Sequence, residues 1–330
     1  MSGKRLGACL ATAAALGAAV LTAPAPATAS GASTTKVGAW SKDWAWFDAA
    51  VGPVDVYRGY DTGFHFARWQ NTDAYRAHPD AKRSDYSFNL PPADVAAGRD
   101  DVALKTFIAS TPKNIVLTNY HEPEQEIEAG LFTASDFRKA IVHLNNLVDA
   151  RNTVDGGTRQ VSIVLMIGTF TGFKQRHPST YWSTVSGDGG RADLISVDAY
   201  ALPHATGTTG VPTGYTDGVG WKNAQTLLQP ALAFANANGV PWGISELGYL
   251  EDVNDAKRKS RALTDAVNYA RAGKETPTSA KPAKPAEFIE YWDSRGGRAD
   301  WQLRHSNPPF PSTSSTSNAV QAWKAAVKLL

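Results

Sequence analysis

The 330-residue sequence holds a single cysteine, Cys9, and that residue lies in an apolar leader. A lone thiol excludes an internal disulfide, so stability has to come from a buried core, which a chain of this length can supply. The zinc-binding spacing H-E-x-x-H is missing, and the seven histidines are scattered. No G-x-S-x-G elbow is present, which removes the usual serine hydrolase arrangement. No glycine-rich turn follows the first strand-like run, which argues against a nucleotide-binding sheet. The acidic residues Glu124, Glu126 and Glu128 lack the loop spacing of a calcium site. No cofactor and no metal are therefore expected.

Long hydrophobic runs are also scarce. The one of note covers 6–21, follows Lys4 and Arg5, and precedes Ala27-Thr28-Ala29. This is the pattern of a secretory signal peptide over 1–29, cleaved near Ala29, and its apolar part is short for a membrane span. The expected mature chain, 30–330, is secreted, monomeric and free of a membrane anchor. Loss of Lys4 and Arg5 brings the 33 basic residues down to the number of acidic ones, 31. A chain so balanced offers no electrostatic footprint for nucleic acid.

What the sequence does contain is alternation. Short apolar runs at 37–40, 54–58, 86–90, 115–120, 161–170, 194–200, 240–247 and 288–292 are separated by helix-like segments, the clearest at 135–151, 224–237, 256–272 and 318–330. In 135–151, Phe137, Ile141, Leu144 and Val148 recur at helical spacing. Eight strand–helix pairs without a repeat or long linker predict a single α/β domain, a closed (β/α)₈ TIM barrel, with an open doubly wound sheet as the alternative.

In such a barrel the active site sits at the carboxyl ends of the strands. The polar and aromatic residues there are Trp40, Arg58 and Tyr60, Asn119, His121 and Glu122, Phe170, Asp198 and Tyr200, Glu246, then Trp292 and Asp293. Glu122 and Glu246 end strands four and seven, which face each other across the mouth. Two carboxyl groups about 5–5.5 Å apart are the equipment of a retaining glycosidase, one as proton donor and one as nucleophile. Ten tryptophans suit stacking on sugars as well as packing. Of the aromatics, Trp40, Tyr60, Tyr120, Phe170 and Trp242 read as packing residues. For Glu122 the competing reading is a solvated acidic loop, and for Glu246 a structural ion pair with Arg58.

Three stretches carry a family resemblance. Val240-Pro241-Trp242-Gly243-Ile244-Ser245-Glu246-Leu247-Gly248 resembles the nucleophile strand of clan A glycoside hydrolases, and His121-Glu122-Pro123 resembles their acid/base strand. Histidine before the acid/base, where most of the clan has asparagine, is similar to glycoside hydrolase family 26, as is Ser196-Val197-Asp198-Ala199-Tyr200. That family contains mannanases and some β-glucanases and xylanases. The resemblance implies Glu122 as acid/base, Glu246 as nucleophile, His121 near the sugar 2-hydroxyl, Tyr200 orienting Glu246, and Trp292 stacking under the sugar. Arg58 is placed to keep a carboxylate ionised. The implied partner is a β-linked polysaccharide, mannan first. A secreted carbohydrate-binding barrel without catalysis is the alternative, since a fold does not fix a function.

The stretch Asn119-Tyr120-His121-Glu122 poses a conflict. In a regular strand Tyr120 and Glu122 point one way and His121 the other. Both His121 and Glu122 can reach a sugar only if the strand end is irregular.

Overall fold

A computed structural model describes residues 35–62, 64, 67–166, 178–182, 192–201, 223–250, 257–276, 279, 284–296, 299–303 and 318–328. Eight parallel strands close into a barrel: β1 (Lys36–Ser41), β2 (Val56–Asp61), β3 (Ser84–Phe88), β4 (Val116–Asn119), β5 (Gln160–Leu165), β6 (Leu194–Ala201), β7 (Trp242–Tyr249) and β8 (Phe288–Asp293). Each pairs with the next in sequence, and β8 returns to β1 in continuous register from Lys36 opposite Phe288 to Ser41 opposite Asp293. The protein is a (β/α)₈ barrel, and Ser33–Leu330 form one compact unit.

The helices are α1 (Trp44–Ala50), α2 (Asp73–Ala77), α3 (Pro92–Ala96), α4 (Asp101–Ser110), α5 (Glu124–Glu128), α6 (Ala134–Asp155), α7 (Ala224–Asn238), α8 (Arg258–Ala272) and α9 (Asn318–Lys328). Their apolar stripes face the sheet. In α6, Phe137, Ile141, Leu144 and Val148 are all buried, as their spacing requires. Its start is fixed by a capping box between Thr133 and Asp136. Helix α7 ends where Asn238-Gly239 predicts, because Gly239 takes the left-handed conformation (φ 68°) that stops it.

The sequence places β3 at 86–90, yet it runs over Ser84–Phe88. The shift has a physical origin. Asp85 is fully buried inside the barrel, and a rule that seeks apolar runs skips a buried carboxylate. Likewise β2 extends past Arg58 to Asp61, because Arg58 points inward rather than closing the strand.

The barrel interior is layered. Its floor is apolar: Val56, Val116, Leu194 and Phe288 pack together, one from each even-numbered strand. Above them the filling turns polar. Arg58, Asp85, Ser87, Thr118, Ser162, Ser196, Ser245 and Glu290 are all buried. Gly38 in β1 makes room for one of them, because a Cβ there would stand 2.8 Å from Glu290 Cγ. This polar layer lies directly under the mouth.

Candidate active site

Strand β7 carries a bulge where Glu246 stands. Opposite β6, Val197 pairs with Ile244 but the next residue, Asp198, pairs with Glu246, leaving Ser245 over. The extra residue turns two consecutive side chains inward. Ser245 Oγ reaches down to Asp85 Oδ2 (2.7 Å) and to Ser196 Oγ (2.5 Å). The Glu246 carboxylate reaches across to Arg58, whose Nη2 lies 3.3 Å from Oε1, while the Tyr200 hydroxyl donates to Oε2. Arg58 is itself fixed by Ser87 Oγ at 2.7 Å and the Gly59 carbonyl at 3.2 Å.

The end of β4 is irregular in a different way. Tyr120 (φ 62°) and Glu122 (φ 53°) both sit in the left-handed region, which non-glycine residues seldom occupy. The Glu122 backbone N–H donates to the Val164 carbonyl at 3.0 Å, and that of Tyr120 to Phe88 at 2.8 Å. These bonds hold the twist against its conformational cost of about 1–3 kcal/mol per residue. The conflict in the sequence is thereby removed: the strand is not regular beyond Asn119, so strict alternation does not govern His121 and Glu122. Helix α5 then begins at Glu124, whose buried Oε1 accepts from the Met166 N–H at 2.9 Å. The acidic run is thus not a solvated loop at its first member.

Glu122, Asp198 and Glu246 each present a carboxylate oxygen within 4.8 Å of the others. This is the only cluster among the described residues with metal-ligand proximity, and a hard cation would need several more oxygens. Arg58 and Tyr200 already hold Glu246. The two glutamates are in unequal surroundings. Glu122 is pushed up to about 8 by desolvation first, then by the negative charges of Glu246 and Glu124. Burial also raises Glu246, but the Arg58 guanidinium and the Tyr200 hydroxyl pull it back. Glu246 is thus raised as well, but the cation and the hydroxyl beside it favour its charged form where nothing comparable holds Glu122, an inequality of the kind that acid and nucleophile roles use. Asp198 is raised well above the ordinary carboxylate range by burial and by both glutamates, and is a neutral neighbour.

His121 is held near 3 by burial and by the Arg58 charge, so it is an uncharged imidazole. Its Nδ1 has no hydrogen-bond partner among the described residues. Around it runs an aromatic wall. His121 neighbours Tyr60 (ring centroids 5.8 Å), Tyr60 neighbours Trp40 (5.7 Å) and Trp292 (5.6 Å), and Trp40 stacks on Trp292 at 4.2 Å and 15°. Tyr200 lies against Trp301 (4.9 Å), which packs in one cluster with Leu250 and Trp292. Gly248 makes this possible, since a Cβ there would fall 2.4 Å from the Tyr200 ring and 3.0 Å from Trp301.

No family model matches the chain, and no curated protein is similar to it in sequence. Solved structures do resemble it. The β-glycosidase of the hyperthermophile Thermosphaera aggregans superposes with a TM-score of 0.53 at 12% identity, covering 90% of this chain and 96% of that one. A double mutant of the Cellulomonas fimi endo-β-1,4-mannanase gives 0.50 at 13% identity, over 90% of this chain and 72% of that one. The AHE enzyme from Alicyclobacillus herbarius gives 0.52 at 11% identity, over 87% of each. Two glycosidases share this fold. At such identities the likeness speaks for the fold alone.

All six residues singled out in the sequence, Glu122, Glu246, His121, Tyr200, Trp292 and Arg58, stand at this mouth; Phe170 lies outside the described residues. Trp40 and Tyr60, read as packing residues, are partly exposed beside Trp292. Trp242 does pack, 1% exposed, with its indole N–H on the Lys284 carbonyl. Three participants were missed. Asp198 is visible in the sequence as a strand-end acid, but nothing there gives it a role. Asp85 lay just outside the expected strand. Trp301 follows β8 in a segment without periodic signal.

Proposed function

We propose that the protein is a retaining glycoside hydrolase acting on a β-linked polysaccharide, secreted and monomeric. The observation that carries this reading is the pair Glu122 and Glu246, with oxygens within 4.8 Å and in unequal surroundings. Inverting enzymes need about 6.5–9.5 Å to seat a water between the carboxyls; retaining ones need about 5–5.5 Å. In the first step Glu246 attacks the anomeric carbon while Glu122 gives its proton to the leaving oxygen. In the second, Glu122 takes a proton from water, which displaces Glu246. His121, beside Tyr60 and next to the acid/base, is placed near the sugar 2-hydroxyl by the family resemblance, and Trp292, backed by Trp40, provides the stacking face.

The finer assignment is a family 26-like enzyme with mannan as first substrate. It rests on His121 preceding Glu122 and on the Tyr200–Glu246 hydrogen bond. The named activities of the two glycosidases that share the fold favour a β-linked target. Reducing-sugar release from mannan, glucomannan, mixed-linkage β-glucan and xylan by the purified protein tests both levels. Release from one polymer, abolished in Glu246→Ala, is the expected result. Activity that survives Glu246→Ala would sink the mechanism, and binding without hydrolysis would make the protein a lectin-like barrel.

A further inference from the structure

Four carboxyl groups and one guanidinium converge on Glu246. Arg58 comes from β2, Asp85 from β3, Glu122 from the end of β4, Asp198 from β6 and Glu290 from β8; the phenols of Tyr60 and Tyr200 complete the set. Asp85 stands apart from the others. It is fully buried, as Asp198 and Glu290 are, but it alone of these three is tied to the bulge beside Glu246 by a hydrogen bond to Ser245. Its Oδ2 is anchored by the Ser245 hydroxyl at 2.7 Å, and Ser245 is the bulge residue next to Glu246. Its Oδ1 lies 3.8 Å from Arg58 Nη1 and has no hydrogen-bond partner among the described residues. Arg58 is thus shared, with Nη2 on Glu246 and Nη1 facing Asp85.

We infer that Asp85 is a positioning residue for the nucleophile: by drawing on the Arg58 charge from below, it keeps the Glu246 carboxylate basic enough to attack. The inference rests on the glycosidase reading for its purpose, though not for its geometry. An arginine devoted wholly to Glu246 would hold the carboxylate ionised but blunt it, since a more stabilised anion is a weaker nucleophile. Asp85 acts twice in the same direction. It partly neutralises Arg58, and it repels the Glu246 charge directly. The alternative source of negative charge, Glu290, is kept neutral by burial and by Asp85 itself, so it supplies no comparable field.

The test is Asp85→Asn, which keeps the volume and an acceptor for Ser245 but removes the charge. The proton affinity of Glu246 is followed by carbon NMR of protein labelled at the glutamate carboxyl, the signal being assigned by its loss in Glu246→Gln. The expected midpoint falls by about one pH unit, a tenfold loss of proton affinity. In Ser245→Ala, which removes the anchor but not the charge, it stays within a few tenths of the parent. A midpoint in Asp85→Asn that is unchanged or higher overturns the inference. Should that variant not fold, Asp85→Ser is read in the same way, and failure of both to fold assigns Asp85 to the fold and overturns it as well. Because the titration needs no turnover, it is separable from the polysaccharide assay: an inactive parent would defeat the glycosidase reading and leave this result standing. With an active parent, the acid limb of the pH–rate profile moves down with the titration.

Discussion

At the scale of single residues, the site divides one chemical type into two roles by environment. Glu122 and Glu246 are the same side chain, but only Glu246 has a cation and a phenol at hand. Three outcomes follow from the signs. Glu122 loses its proton as pH rises through about 8, so the rate should fall on that side. Glu122→Gln should remove the alkaline limb and lower kcat by about 10²–10⁴-fold for polysaccharide, with less loss on aryl glycosides whose leaving groups need no proton. Tyr200→Phe deletes a hydrogen bond to a charged group, a loss of about 10–100-fold in kcat. It should also move the acid limb upward, because the donated bond favours the ionised carboxylate. Steady-state kinetics from pH 4 to 9 check all three.

At the scale of elements, the sequence showed that β4 and β7 run toward the two glutamates but not how they end. The apolar runs before Asn119 and Glu246 are legible because a buried parallel strand is continuous in Val, Ile and Leu. A bulge leaves no such trace. Ser245 looks like any small residue in Gly243-Ile244-Ser245-Glu246, and only the register against β6 reveals it as the extra one. The left-handed pair Tyr120 and Glu122 is equally silent, since neither residue type favours that conformation. Gly248 is a different case. The E-x-G pattern marks it, and the structure gives the reason: Tyr200 and Trp301 occupy the space of its missing side chain. Gly248→Ala should therefore displace Tyr200 from Glu246, lowering kcat about tenfold or more and costing about 1–3 kcal/mol from overpacking. A thermal melt and kcat on the same preparation measure both, and a variant with parental kcat would show that the glycine serves only the fold.

At the scale of the whole molecule, an apolar core and a polar candidate site share one barrel interior. The apolar floor of Val56, Val116, Leu194 and Phe288, together with the outer helices, supplies the core that a disulfide-free chain requires. That core was legible as alternation, whereas the polar layer above it was not, because burial of Arg58, Asp85 and Glu290 runs against their type. One further polar burial shapes the response to acid. His78, at the opposite end of β2 from the site, packs on Tyr57 (3.8 Å between ring centroids) and on the edge of Trp44 (4.3 Å). Burial holds it near 4 in the native state, below the ordinary value of 6.5. His78 then binds fewer protons in the native state than in the unfolded chain between these values, so its own contribution to stability is complete above about pH 6.5 and declines as pH falls toward 4, while the raised carboxyls of the mouth act in the opposite sense. His121, held near 3, adds to this decline from the same starting pH and extends it further down. Because His78 is only half buried, its share is on the order of 1 kcal/mol after allowance for solvent screening. His78→Phe should preserve the packing on Tyr57 and flatten the pH dependence between 6.5 and 4, read by urea unfolding at pH 7 and pH 4.5. A difference between the two pH values as large in the variant as in the parent would place the acid sensitivity wholly in the barrel mouth.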